Sequence, residues 1–247
     1  MSYRLLSIRK KYMRLTTNTA IFSLYGTIIK AKPGLRPAPE QSIIETFRYY
    51  GCEENKIDKI IQKHKSYNKN MENIMDLLQV DNKKVIYDKY NETLDEILQC
   101  NDYCILHDNY ADIINNMYSN GMKYLCCTTD MTYTQVAIIM NRYNELRFSK
   151  IITANNRLKP QPAPDSIHHI MDKLNIYDYN VVRIGNTVDD IKEGNNAKVI
   201  NIGVSNDNEI RNELTENGAD YTINNLYCLP NAINEINKKI RYNIINL

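Results

Sequence analysis

The sequence predicts an α/β fold: a Rossmann-like, three-layer core around a parallel sheet, with a small inserted all-helical cap. Three observations predict it. Short apolar runs of strand length alternate with amphipathic segments of helix length, as in parallel strands joined by helical crossovers. Four consecutive helical patterns interrupt that alternation once, directly after the first strand. The 247 residues are enough for one α/β domain with a modest insertion.

Residues 1–18 read as a basic N-terminal extension. Arg4, Arg9, Lys10, Lys11 and Arg14 fall here, and no Asp or Glu precedes Glu40. The stretch lacks the apolar centre of a secretory signal, so two readings stand, an organelle transit peptide or a surface extension or first helix. The first strand covers 19–24, and apolar residues resume at Ile28 and Ile29 after a polar turn. Residues 33–105 hold "APEQSIIETFRYYG", "NKIDKIIQKHK", "NMENIMDLLQV" and "YNETLDEILQC", four helices with no strand between them. They read as a cap over the carboxyl edge of the sheet, where open α/β folds bind ligands.

The core therefore comprises 19–32 and 106–247. Strands are expected at 123–128, 150–153, 181–185, 198–203 and 220–223. Between them, Asp108 caps a helix that Gly121 stops after Asn120. Further helices fall at 131–145, at 164–174 behind the Pro-rich "KPQPAP", and at 189–196, 207–217 and 230–243.

Composition excludes several function classes. A net charge of +2 asks for neither nucleic acid nor a membrane surface. No apolar segment approaches the roughly 20 residues that span a bilayer. The six cysteines form neither a CxxC pair nor a Cys/His zinc pattern, and adjacent Cys126 and Cys127 read as small buried hydrophobes. A reducing, cytoplasmic setting follows by default. His168 and His169 sit in mid-helix and read as structural or exposed.

Four strand ends carry the chemistry. The first holds Ser23, Tyr25, Gly26 and Thr27; the second ends in Thr128 and Thr129. Lys159 follows before the Pro-rich turn, and "VVRIGNTVDD" brings Gly185, Asn186, Thr187, Asp189 and Asp190. Together these resemble the haloacid dehalogenase superfamily, over residues from about 19 to 225. There the first motif reads Asp-x-Asp-Gly-Thr, the second ends in Thr or Ser, a Lys or Arg precedes the Pro turn, and the last reads Gly-Asp-x-x-x-Asp.

The resemblance implies a division of labour. A first Asp forms a covalent intermediate, a second moves the proton, and Thr with Lys holds the transferring oxygens. Magnesium, held by the first Asp, a backbone carbonyl and the last motif's Asp, offsets the phosphate charge. Gly26, Thr27, Thr128, Lys159, Gly185 and Asp190 match that pattern. Ser23 stands at the nucleophile position, Tyr25 at the acid/base position and Asn186 at the metal-ligand position. Each departure removes a carboxylate, so only Asp189 or Asp190 remains to attract a cation. Magnesium is implied only if activity is retained, and otherwise no cofactor.

Within the superfamily, "TTDMT" and the "GNTVDDIKEGNNAKVINIGV" tail are similar to phosphonoacetaldehyde hydrolase (phosphonatase). That branch also lacks the second Asp and uses a cap lysine as a Schiff base. Lys69 aligns with it, with Lys63 and Lys65 as rivals. A lone Ser23–His107 couple is the other route to an activated hydroxyl; a capping or packing role for His107 competes with it. Lys159, partly buried without a carboxylate at position 23, would pair with Asp190 or leave the pocket net positive, fit for an anion. Three functions follow: an impaired hydrolase homologue that still binds phosphate or a phosphorylated ligand; an active phosphate or phosphonate hydrolase with an altered site; or an interaction module. A protein partner or homodimer stays open.

Overall fold

The computed structural model describes residues 16–63, 67–77, 79, 82–100 and 103–245. The expectation for residues 1–15 of the basic extension lies outside them. The chain divides into two compact units. The first takes the chain up to Ile28, His107–Asp130 and Glu145 onward; the second takes Ile29–Leu106 and Met131–Asn144.

Among the described residues eight strands form: β1 (Thr19–Ser23), β2 (Ile29–Ala31), β3 (Cys104–Leu106), β4 (Tyr124–Thr128), β5 (Lys150–Ile152), β6 (Val181–Gly185), β7 (Ile200–Val204) and β8 (Tyr221–Ile223). Six of them make the sheet of the first unit, in the order β5-β4-β1-β6-β7-β8, with every pair parallel. All six lie where the apolar runs place them. The central strand β1 is buried on both faces from Thr19 to Phe22, which is why "TAIF" reads as a continuous run and not as an alternation.

The helices are α1 (Ala38–Tyr49), α2 (Glu54–Lys63), α3 (Tyr67–Leu77), α4 (Lys83–Gln99), α5 (Tyr110–Ser119), α6 (Tyr133–Arg142), α7 (Asp165–Leu174), α8 (Val188–Asn196), α9 (Asn208–Glu216) and α10 (Leu229–Ile245). In the first unit, Ile167 and Ile170 of α7 join Ile21, Cys126, Ile152 and Val181 of four strands in one apolar cluster. Each such buried side chain contributes about 1.5–3 kcal/mol. Helix α5 starts one residue later than expected. Its N-cap is Asn109, left-handed at φ 57 and without a side-chain cap bond; Asn tolerates that conformation better than most residues.

The second unit has its own core, with Ile43, Ile44, Phe47, Ile57, Met71 and Met75 among its buried residues. It contains all four predicted helices, and two features differ from expectation. The unit is wider than the expected 33–105 and adds an antiparallel pair, β2 with β3, at the ends of the inserted segment. Helix α6 also belongs to this unit. Its buried Gln135 donates to Asn91 Oδ1 at 3.2 Å, and Arg142 donates to the Leu98 carbonyl. Helical periodicity gives a helix its apolar face without saying which neighbour receives it. Among the described residues, no helix is long and apolar enough to cross a membrane.

Candidate active site at the strand tips

Strand β1 reverses the sheet order, with β4 on one side and β6 on the other. Ligands of open α/β sheets bind at the carboxyl ends flanking such a switch point. Ser23 ends β1, half-buried and paired in register with Thr128 of β4. The chain then turns tightly, with Ile28 N donating to the Leu24 carbonyl at 3.0 Å. Gly26 occupies the left-handed region at φ +85, and a Cβ there would lie 2.4 Å from Asn186 Nδ2. Only glycine fits on both counts. Thr27 Oγ1 donates to Asn186 Oδ1 at 3.0 Å, tying the β1 turn to the β6 tip.

Thr128 is almost fully buried, and its Oγ1 has no hydrogen-bond partner. Such a hydroxyl costs about 1–3 kcal/mol unless something engages it. Thr128 is a strand residue and caps no helix; the cap of α6 is Thr132, in a capping box with Gln135. Thr129 N donates to the Ile152 carbonyl at 3.0 Å.

The β6 tip leads into α8, capped by Thr187 in a box with Asp190. Gly185 is needed there, since a Cβ would lie 2.3 Å from that of Asp190. The Asp190 carboxylate is saturated. Its Oδ2 accepts from Asn186 N at 3.0 Å, Thr187 N at 3.0 Å and Thr187 Oγ1 at 2.8 Å. Its Oδ1 accepts from Gln161 Nε2 at 3.0 Å and Arg183 Nη2 at 2.6 Å. Arg183 also pairs with Glu193 at 2.9 Å, and both side chains are fully buried. Glu193 in turn accepts from Gln161 at 2.8 Å and from Ser166 Oγ. Burial opposes the charge on Arg183, but Glu193 and then Asp190 outweigh it and hold its pKa above the ordinary value.

This network corrects the expected electrostatics. Lys159 is exposed, not partly buried, and the partner of Asp190 is Arg183, whose guanidinium lies within the same strand-helix unit. One buried guanidinium faces two buried carboxylates, so the ground beneath the tips is not net positive. Asp130, just beyond β4, registers the same field. The residue is exposed, yet its carboxyl is pushed up to about 6, by desolvation first and then by Asp190, Glu193 and Asp189, with Arg183 opposing.

Magnesium takes a shell of oxygens with one or two anionic ligands. Among the described residues, no group of three His, Cys, Asp or Glu could hold a metal ion. Asn186 is neutral and bonded to Thr27, and both oxygens of Asp190 already accept hydrogen bonds. Asp189, half-buried in the first turn of α8, is the carboxylate left at that motif. The residues present do not fit the family's ion.

His107 does not serve Ser23. Its Nδ1 is 2.9 Å from the Asp108 carbonyl, and its Nε2 accepts from Leu226 N at 3.4 Å. Lys69 lies within α3 of the second unit, not ahead of a helix; its side chain, like those of Lys63 and Lys65, lies outside the described residues. Sequence reasoning missed Arg183, Glu193, Gln161, Ser166 and Asp130. The signal for Arg183 was present: a charge inside the apolar strand "VVRIG" demands a buried counter-charge.

The fold and the strand-tip site define a Rossmann-like α/β protein with a switch-point site at the carboxyl ends of its strands. Residues 20–204 match the family "Haloacid dehalogenase-like hydrolase". The chain belongs to that family. It is 34% identical over 137 residues to phosphonoacetaldehyde hydrolase of Latilactobacillus sakei, covering 43% of this chain and 50% of that protein. It spans half or less of the length of the curated relatives it matches. Among solved structures, a phosphonoacetaldehyde hydrolase-like protein from Oleispira antarctica superposes with TM-score 0.73 at 17% identity, covering 92% of this chain and 94% of that one. CbbY from Rhodobacter sphaeroides, solved in complex with phosphate, gives TM-score 0.64 at 16% identity, covering 85% and 95%. At these identities the structures speak for the fold alone.

Proposed function

We propose that this chain is a phosphonatase-like haloacid dehalogenase homologue that binds a phosphate-bearing or phosphonate-bearing small molecule at the strand tips and turns it over poorly or not at all. The observation that carries the reading is the buried Thr128 hydroxyl, unpartnered and in register with Ser23. It is a donor ready for a ligand oxygen, with Lys159 as the nearby cation in the chain's motif order. Binding of phosphate by CbbY, which shares the fold, supports the ligand class. Poor turnover follows from chemistry: Ser23 is a hydroxyl whose candidate base, His107, is bonded elsewhere, Tyr25 is no carboxyl acid, and Asn186 is a neutral ligand position. Magnesium enters only with residual activity. The six cysteines, none in a disulfide among the described residues, fit a reducing cytoplasm.

A second reading, an active hydrolase with an altered site, is favoured by one observation. Asp130 places a carboxyl at the β4 tip with a value of about 6, suited to proton transfer near neutrality.

Calorimetric titration with inorganic phosphate, with and without magnesium, tests binding against Lys159→Ala; equal weak heats for both proteins exclude the first reading. Turnover of p-nitrophenyl phosphate or phosphonoacetaldehyde by the wild type favours the second. The double variant Ser23→Asp with Asn186→Asp is expected to gain magnesium affinity measurable by calorimetry, because it returns two anionic ligands to the tips.

A further inference from the structure

In the proposed site the cation has no carboxylate to orient it. Position 23 is a serine, Asp190 is taken by Arg183, and Lys159 stands exposed. Yet the segment that carries it is held firmly at both sides. Leu158 packs against the apolar cluster of β1, β4, β5 and α7. On the other side, Gln161 Nε2 donates to Asp190 Oδ1 at 3.0 Å and to Glu193 Oε2 at 2.8 Å. Both neighbours are acceptors, so the amide nitrogen must face them and spends both its protons there. Pro160, with fixed φ, is the only residue between the clamp and Lys159. Ala163 N closes a turn onto the Pro160 carbonyl at 3.0 Å, and Asn196 Nδ2 holds the Pro162 carbonyl at 2.8 Å.

From this geometry we infer that Gln161 is the positioning residue for Lys159: by clamping the Pro-rich segment to the buried Asp190–Glu193 pair, it sets where the ammonium meets an oxyanion. The inference rests on the proposed reading of Lys159 as the site's cation. Asp190 thus has a role different from metal binding. It transmits the position of the β6 tip to the lysine segment through a neutral amide, where an ion pair with a residue-23 carboxylate would otherwise align the lysine.

Gln161→Met keeps length and removes both donors. It leaves Arg183 on both carboxylates, so the variant is expected to fold. Sulfate affinity is measured by calorimetry for the wild type, Lys159→Ala, Gln161→Met and the double variant, with amide exchange followed over residues 157–163. Gln161→Met is expected to weaken sulfate roughly three- to tenfold, the scale of one ordinary hydrogen bond. The double variant should bind no more weakly than Lys159→Ala alone, and exchange should rise in 157–163. A purely structural role would give additive losses, and that overturns the inference. Unchanged affinity or exchange in Gln161→Met, with Lys159→Ala weakened, overturns it while leaving the function reading intact. Unchanged affinity in Lys159→Ala overturns both.

Discussion

Asp130 faces Asp189 and Asp190 from the β6–α8 side and Glu193 from within α8, with Arg183 as the opposing cation. Its folded value of about 6 lies above the ordinary 3.8, so the native state disfavours its ionised form. The sign follows directly: the penalty is absent below about pH 4, grows as pH rises towards 6, and is complete above it. Asp130→Asn should therefore raise the melting temperature at pH 7.5 and leave it unchanged near pH 4; a shift of equal size at both would exclude the electrostatic cause. Arg183 is the reverse case. Arg183→Met leaves Asp190 and Glu193 buried without their cation, and denaturant unfolding should report a loss of about 3–5 kcal/mol. A loss under about 1 kcal/mol would show that the other donors to the two carboxylates suffice without the guanidinium. At this scale the sequence was only partly legible. Gly26, Thr27 and Asn186 meet at the strand tips, whereas the partner of Asp190 was missed because a charge inside an apolar strand does not name its counter-charge.

At the scale of elements, the turn after β1 is set by one glycine. Gly26 and Gly34 share nearly the same backbone angle, φ +85 and φ +88, but a Cβ at 34 meets nothing while one at 26 meets Asn186. An alanine at either pays the left-handed strain of about 1–2 kcal/mol. Only Gly26→Ala must also displace Asn186, so its stability loss by thermal or chemical unfolding should exceed that of Gly34→Ala; equal losses would show that the Asn186 side chain yields freely. Other elements were readable from local chemistry. "TVDD" announces the capping box of α8, and the Pro-rich turn announces α7. The first turn of α5 was displaced to Asn109 because left-handed Asn and side-chain-capping Asp leave similar traces in a sequence.

At the scale of the molecule, each unit carries its own apolar cluster. Phe47→Ala, at the fully buried heart of the second, should cost about 3–5 kcal/mol. Hydrogen exchange should show the loss in α1–α4 first, with β1 and β6 still protected; equal loss of protection in β1 and β6 would mean the two clusters unfold as one. Six sheet strands, their sequence order and the motif residues at their ends were determined by the sequence itself. Apolar runs, turn residues and caps are local signals, and a strand's end is fixed by where its run stops. Tertiary structure alone decided that α6 joins the inserted segment, that β2 pairs with β3, and that Arg183 rather than Lys159 neutralises Asp190. Those outcomes depend on distances between residues far apart in the chain and on competition among several donors for one buried acceptor, which periodicity does not encode.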